Sequence, residues 1–183
     1  RWRALLLAVA WLNATLIPLI GVPVLLPAIS EEFGTSISAT AWVALAYSLA
    51  MAGAFMPASH VGDLLGHKRV ALLGSYMEVA FMLVIVLAPN LAVLVALRFG
   101  QGIFHSLAVP NFNVFAIGGF PQEERGKASG LLGSGIGVGM LVVPLFVGLI
   151  TDGLGWRWVF FIASAITLAI TVWGSLMFQE APS

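Results

Sequence analysis

The sequence predicts an all-α membrane protein, one bundle of six transmembrane helices spanning residues 1–183, and three observations carry that prediction. Of 183 residues, 60% are hydrophobic and only 9% are charged, where a soluble domain carries about 25%. Apolar runs of about 20 residues recur, each able to cross ~30 Å of hydrocarbon. Short clusters of glycine, proline and charge separate them.

Composition also excludes. Mean hydropathy is +1.03, which removes a soluble core. The net charge is zero and no basic block occurs, so nucleic acid is not an expected partner. Without cysteine there are no disulfides and no thiolate metal sites. No phosphate loop or metal-ligand cluster stands in the sequence, so neither ATP nor a metal or other cofactor is expected. Arg1 and Arg3 precede the first apolar run as in a signal peptide. That run continues too far and lacks a small-residue cleavage site, so it reads as a retained helix.

Six spans are predicted near 4–27, 38–59, 70–88, 92–118, 127–149 and 158–178. Both termini then fall on one side with Arg1, Arg3, Lys68, Arg69, Arg125 and Lys127, opposite Arg157. The excess of Lys and Arg marks the cytoplasmic side, so both ends are expected there. The tail Glu180-Ala181-Pro182-Ser183 stands where a central linker would begin.

Helix 1 contains Asn13, Pro18, Pro23 and Pro27. Intramembrane prolines free backbone groups that neighbouring helices must satisfy, so the helix is either a kinked structural element or a moving one with Asn13 on a cavity. Helix 2 carries Trp42, Tyr47 and Met51. The last two share a face and fit either packing or a flexible pocket for aromatic solutes. The turn from Gly62 to Arg69 reads as a tight polar loop, with Asp63 as a capping acid and Gly66 at the bend before Lys68 and Arg69.

Helix 3 holds Glu78, eight residues past Val70 and so about 12 Å into the membrane. A carboxylate there is costly and is a functional candidate; a neutral acid at a helix contact fits equally. In helix 4, Arg98, Gln101, Gly102 and His105 recur on one stripe, with Asn113 near it. An intramembrane arginine costs about 2.5–3.5 kcal/mol on insertion scales and must face the bundle interior. It either ties helix 4 to helix 1 or serves function. His105 could titrate or pair with a neighbour. Helix 5 presents Gly130, Gly133, Gly137, Gly139, Pro144 and Gly148, with Gly133 and Gly137 predicted as a small-x-x-x-small face for close helix approach. Residues 63–70 are echoed at 152–159, one stretch inside and one outside. That is the pattern of inverted three-helix repeats, about 1–90 and 91–183.

Several of these stretches resemble the major facilitator superfamily of transporters. Asp63-x-x-Gly66-His67-Lys68-Arg69 is similar to its loop between helices 2 and 3, with Ser59 and Leu64 in place of a glycine and an arginine. Arg98-x-x-Gln101-Gly102 resembles the fourth-helix signature of its proton-coupled members. Pro121 to Ala128 resembles its loop before helix 5. Gly130-x8-Gly139-x3-Val143-Pro144-x2-Val147-Gly148 resembles the fifth-helix signature of antiporters, two glycines being valines here. Asn13 to Ala28 with Trp42 to Tyr47 resembles the drug–proton antiporter branch, which usually carries aspartate where Asn13 stands.

The resemblance implies a six-helix half of such a transporter, in the inner or plasma membrane, exporting a small organic solute by alternating access on the proton gradient. It implies proton coupling by Arg98 and Gln101, with His105 and Glu78 as titrating groups, and a substrate cavity lined by Asn13, Trp42, Tyr47 and Asn113. Asp63, Gly66, Lys68 and Arg69 would latch one conformation. Partners would be the solute, protons, the lipid bilayer and a second six-helix bundle, supplied by a homodimer or by the C-terminal half of a longer chain. If so, Arg98→Ala should abolish pH-driven flux in a folded protein. A non-transporting half-module is the rival. An intramembrane serine protease using Ser134 with His105 has no supporting motif, and the Asn-Pro-Ala boxes of water channels are absent.

Overall fold

The computed structural model describes residues 2–177. Arg1, counted above among the cations, and the tail Glu180-Ala181-Pro182-Ser183 lie outside the described residues.

The first span is two helices, α1 (Trp2–Ile20) and α2 (Val22–Phe33). The break falls at Gly21, where a Cβ would collide with Ile17 O and sit 2.7 Å from Val147 Cγ2; Pro23 then enters the first turn of α2. After Ser36, whose hydroxyl caps Ala39 N, the short α3 (Ile37–Thr40) leads into α4 (Trp42–Leu65). The polar loop expected over 62–69 is therefore mostly helix. α4 runs through Gly62 and Asp63, and α5 (His67–Ile85) begins at His67, leaving Gly66 alone as the turn. Gly66 has φ +92°, and its N–H returns to Gly62 O; only glycine adopts that angle cheaply.

α6 (Leu91–Gly118) starts from Asn90, whose side chain accepts from Val93 N. α7 (Gln122–Leu154) is longer than the expected 127–149 span, at 33 residues or about 50 Å. Its ends therefore outreach the hydrocarbon, and Glu123 and Glu124 occupy its positive first turn. Gly155 (φ +95°) then turns the chain into α8 (Trp156–Met177) as Gly66 does, with its N–H on Thr151 O. The echoed stretches 63–70 and 152–159 thus make the same one-glycine turn.

Among the described residues, five helices are long and apolar enough to cross a membrane. α5 falls outside that measure because it holds Lys68, Arg69 and Glu78. It nevertheless packs between α6 and α8 with Glu78 fully buried. α6 packs on α4 and α5, α1 packs on α7 and α8, and α1 meets α6. Two apolar clusters result. One gathers Leu25, Ile29, Val43, Met82, Ile85, Leu94 and Phe160. The other gathers Leu5, Ala8, Trp11, Ala108, Phe120 and Ala128 near the opposite end.

The glycines of α7 divide between two faces. Gly130, Gly133 and Gly137 face open space, whereas Gly135 and Gly139 meet α1 at Val9 and Asn13. Residues two apart on a helix point nearly oppositely, so the 133/137 face cannot share a neighbour with 135/139. Pro144 is half-buried and Gly148 only brushes Val24.

The Arg157 end is closed by a side-chain clamp. Glu32 of α2 accepts from Trp156 Nε1 at 2.7 Å and from Arg157 Nη1. Arg157 also donates to Val86 O and Ala88 O, both at 2.9 Å, and stacks on Trp156. The Arg157 hydrogen bond, with help from Trp156, outweighs desolvation and holds Glu32 below its usual value of 4.5. A carboxylate held low contributes stability above its unfolded value and loses it as pH falls through the folded one. Glu32→Gln is therefore expected to cost about 0.2–1 kcal/mol at pH 7, the range for exposed pairs. That difference in melting temperature should shrink as pH falls below 4.5; a difference that stays constant through that fall would refute the clamp's ionic character.

Candidate functional site

Between the two apolar clusters lies a polar layer. Along α6, Arg98, Gln101 and His105 come between Leu94 and Ala108, and along α8 Thr167 comes between Ala163 and Ile170. Arg98, Gln101, Glu78, Ser75, Thr167 and Tyr47 are all fully buried.

Arg98 is held on three sides. Its Nε donates to Val43 O of α4 at 3.1 Å, Nη2 to Pro18 O of α1 at 2.9 Å, and Nη1 to Gln101 Oε1 at 2.7 Å. The guanidinium lies 4.1 Å from the Tyr47 ring centroid, a cation–π contact strengthened by exclusion of water. The arginine therefore does tie α6 to α1 and also to α4. Gly102 lets this happen: a Cβ there would strike Tyr47 O.

Two turns on from Arg98, His105 Nδ1 stands 3.0 Å from Glu78 Oε1, with side chains 5% and 0% exposed. Against an ionised Glu78, Nδ1 carries the proton and donates. Trp11 of α1 stacks on His105 with centroids 6.0 Å apart, and Tyr47 lies at 5.6 Å. Several buried polar atoms of this layer have no protein partner: Glu78 Oε2, Gln101 Nε2, Tyr47 Oη, Trp11 Nε1, Ser75 Oγ and Thr167 Oγ1. Buried orphans are uncommon and each has a cost. Of these, Glu78 Oε2, Tyr47 Oη, Ser75 Oγ and Thr167 Oγ1 can accept a hydrogen bond, whereas Gln101 Nε2 and Trp11 Nε1 can only donate one.

The four residues expected to line one cavity do not meet. Tyr47 is enclosed in the polar layer. Trp42 is 52% exposed at the start of α4. Asn13 donates to Val9 O and lines a groove of about 420 Å³ among α1, α7 and α8 with Ala10, Val142 and Ile170. Asn113 lies near the other end of α6 beside Arg125, in a crevice of about 300 Å³. Helical spacing gave each a face without saying which neighbour that face meets.

At the α4–α5 turn, Asp63, Gly66 and Arg69 are exposed and Lys68 is half-buried. Two residues that spacing did not single out join them. His67 bonds Asn111 of α6, 44 positions away, a pairing that spacing along the chain cannot signal. Ser134 and His105 do not form a nucleophile and base: Ser134 is exposed with its hydroxyl on Leu131 O, while His105 is enclosed on Glu78. No group of three or more His, Cys, Asp or Glu able to hold a metal occurs among the described residues.

The apolar spans around a buried charged layer define a helical membrane bundle. The chain belongs to the Major Facilitator Superfamily, whose family model matches residues 4–183. It is 32% identical over 158 residues to a probable actinorhodin transporter of Streptomyces coelicolor, covering 84% of this chain and 27% of that protein. It is 34% identical over 142 residues to a lincomycin resistance protein of Streptomyces lincolnensis, covering 77% and 29%. To a riboflavin transporter of Clostridioides difficile it is 28% identical over 156 residues, covering 85% and 34%. The chain thus spans about a third or less of the length of the curated relatives it matches.

Proposed function

We propose that this chain is one half of a proton-coupled antiporter that exports a small, drug-like organic solute from the cell by alternating access. The observation that carries the reading is the Glu78–His105 pair, buried beside Arg98 and Gln101 where α1, α4, α5, α6 and α8 converge. An ionisable pair enclosed in a membrane bundle is costly and is by default a functional candidate. Gain or loss of one proton by the Glu78–His105 pair, exchanged with the aqueous phase, changes the net charge of the layer next to the Arg98 guanidinium. That charge biases which packing of the helices is favoured. Asn13 and Asn113 meet solute at different stages along the bundle, and the proton gradient is the only energy source. The printed functions of relatives, antibiotic transport and resistance, support an organic solute.

A second six-helix bundle completes the path, either as another copy or as the remainder of a longer protein. The α3–α4 span and α7 support this, since they are the least enclosed of the five long apolar spans. Both termini face the cytoplasm of the inner or plasma membrane, where Lys68, Arg69, Arg125 and Lys127 satisfy the positive-inside rule. The α4–α5 turn latches one conformation.

The test uses everted membrane vesicles from cells making the whole gene product, energised by respiration and loaded with a pH-sensitive dye. Addition of an amphipathic organic cation such as ethidium is expected to discharge the pH gradient, and collapse of that gradient with nigericin to stop ethidium uptake. Uptake that survives nigericin would end the proton-coupled reading. Native mass in mild detergent would then separate a dimer of this bundle from a longer single chain.

A further inference from the structure

Where α4 turns into α5, the hydrogen bonds of Asn111 dictate the chemistry of His67. The Asn111 amide nitrogen donates to Ala58 O at 3.1 Å and to Leu107 O at 2.8 Å. Both partners are carbonyl oxygens, so that atom is the NH2 group and Asn111 Oδ1 is the acceptor. Asn111 Oδ1 lies 2.7 Å from His67 Nδ1. An acceptor at that distance requires a proton on Nδ1. The other ring nitrogen, Nε2, stands 3.3 Å from Asp63 Oδ1. In the neutral ring with Nδ1 protonated, Nε2 presents a lone pair to a carboxylate. Added protonation at Nε2 turns that repulsive contact into an ion pair while leaving the Asn111 bond intact.

We infer that His67, Asn111 and Asp63 form a proton-binding site, separate from the Glu78–His105 pair, that when occupied ties the end of α4 to His67 of α5, which Asn111 holds on α6 in either state. Gly62 fits this role, because a Cβ there would overlap Asn111 Oδ1 and lie 2.6 Å from His67 Nδ1. Ionisable neighbours are few. α4 adds His60, exposed and one turn before Asp63, and α5 adds Lys68 and Arg69 directly after His67. α6 has no ionisable residue from Ser106 to Gly118, and α8 has none after Arg157 among the described residues. α7 carries Glu123, Glu124, Arg125 and Lys127 at its own start, with Arg125 hydrogen-bonded to Phe120 O. Asp63 is thus the acid that answers His67, at 62% side-chain exposure against 27%, so the site exchanges protons with the aqueous phase. The site requires no assumption about the solute carried.

The test labels histidine with 15N in the whole gene product in lipid nanodiscs, with His67→Gln identifying the resonance. Neutral His67 is expected to hold its proton on Nδ1, and Asn111→Leu to shift it to Nε2. A spin label at Leu64→Cys, an exposed position of the same turn, reports the second consequence. This chain has no cysteine, and any elsewhere in the gene product is replaced by serine. Label mobility is expected to fall about twofold between pH 8 and pH 5.5, across the range in which histidine titrates. It should stay unchanged in His67→Gln and low at both values in His67→Arg. A neutral His67 protonated on Nε2, or an equal pH response in His67→Gln, overturns the proposal.

Discussion

Glu78→Gln is expected to lower pH-driven flux by roughly tenfold or more while leaving the bundle folded, since an intramembrane carboxylate is by default a functional candidate. Glutamine keeps the shape and a hydrogen bond toward His105 but cannot exchange a proton. His105→Ala should behave differently. It strips Glu78 Oε1 of its partner while Oε2 already has none. Breaking one side of a buried pair costs about 3–5 kcal/mol, so a sharply lower melting temperature in detergent is expected. The decisive variant removes both, as Glu78→Met with His105→Leu. Apolar replacement of a whole buried pair is often neutral or stabilising by about 1–4 kcal/mol. That variant should fold as well as the native protein and carry no pH-driven flux. Flux at the native rate would reduce the pair to a structural contact.

Arg98 carries the second large effect. The resemblance to proton-coupled transporters implies that Arg98→Ala abolishes flux in an otherwise folded protein. The geometry adds a structural cost. The substitution leaves Val43 O, Pro18 O and Gln101 Oε1 without their donor. Hydrogen bonds to a charged group contribute about 1.5–3 kcal/mol each. Alanine is therefore expected to loosen α1 and α4 from α6 and to lower thermal stability as well as flux. Arg98→Lys separates the two roles. Lysine retains the charge, but one ammonium cannot reproduce the planar fork that reaches two backbone carbonyls and an amide. We expect the Lys variant to survive purification as a monodisperse species with flux well below native. An Ala variant that melts at the native temperature would show that these three bonds do not hold the helices together.

Much of this molecule was legible before any coordinate. Hydrophobic run lengths located the membrane segments, and turn glycines marked where they reverse. Intramembrane charge singled out Arg98 and Glu78, because no partner-free environment in hydrocarbon tolerates them. The 3.6-residue period put Arg98, Gln101 and His105 on one stripe of α6. These are local properties, and a chain carries them into any packing.

The tertiary structure decided the rest. In a soluble protein the apolar face points inward, but lipid tails are as apolar as a helix interior, so hydrophobicity no longer tells inside from outside. That is why Gly133 and Gly137 face outward while Gly135 and Gly139 receive α1, and why Asn13, Trp42, Tyr47 and Asn113 scatter. The pairing of Glu78 with His105 joins α5 to α6, and that of His67 with Asn111 joins the start of α5 to the far half of α6. Periodicity says which residues share a face of one helix; only the packing of helix on helix says what each face meets.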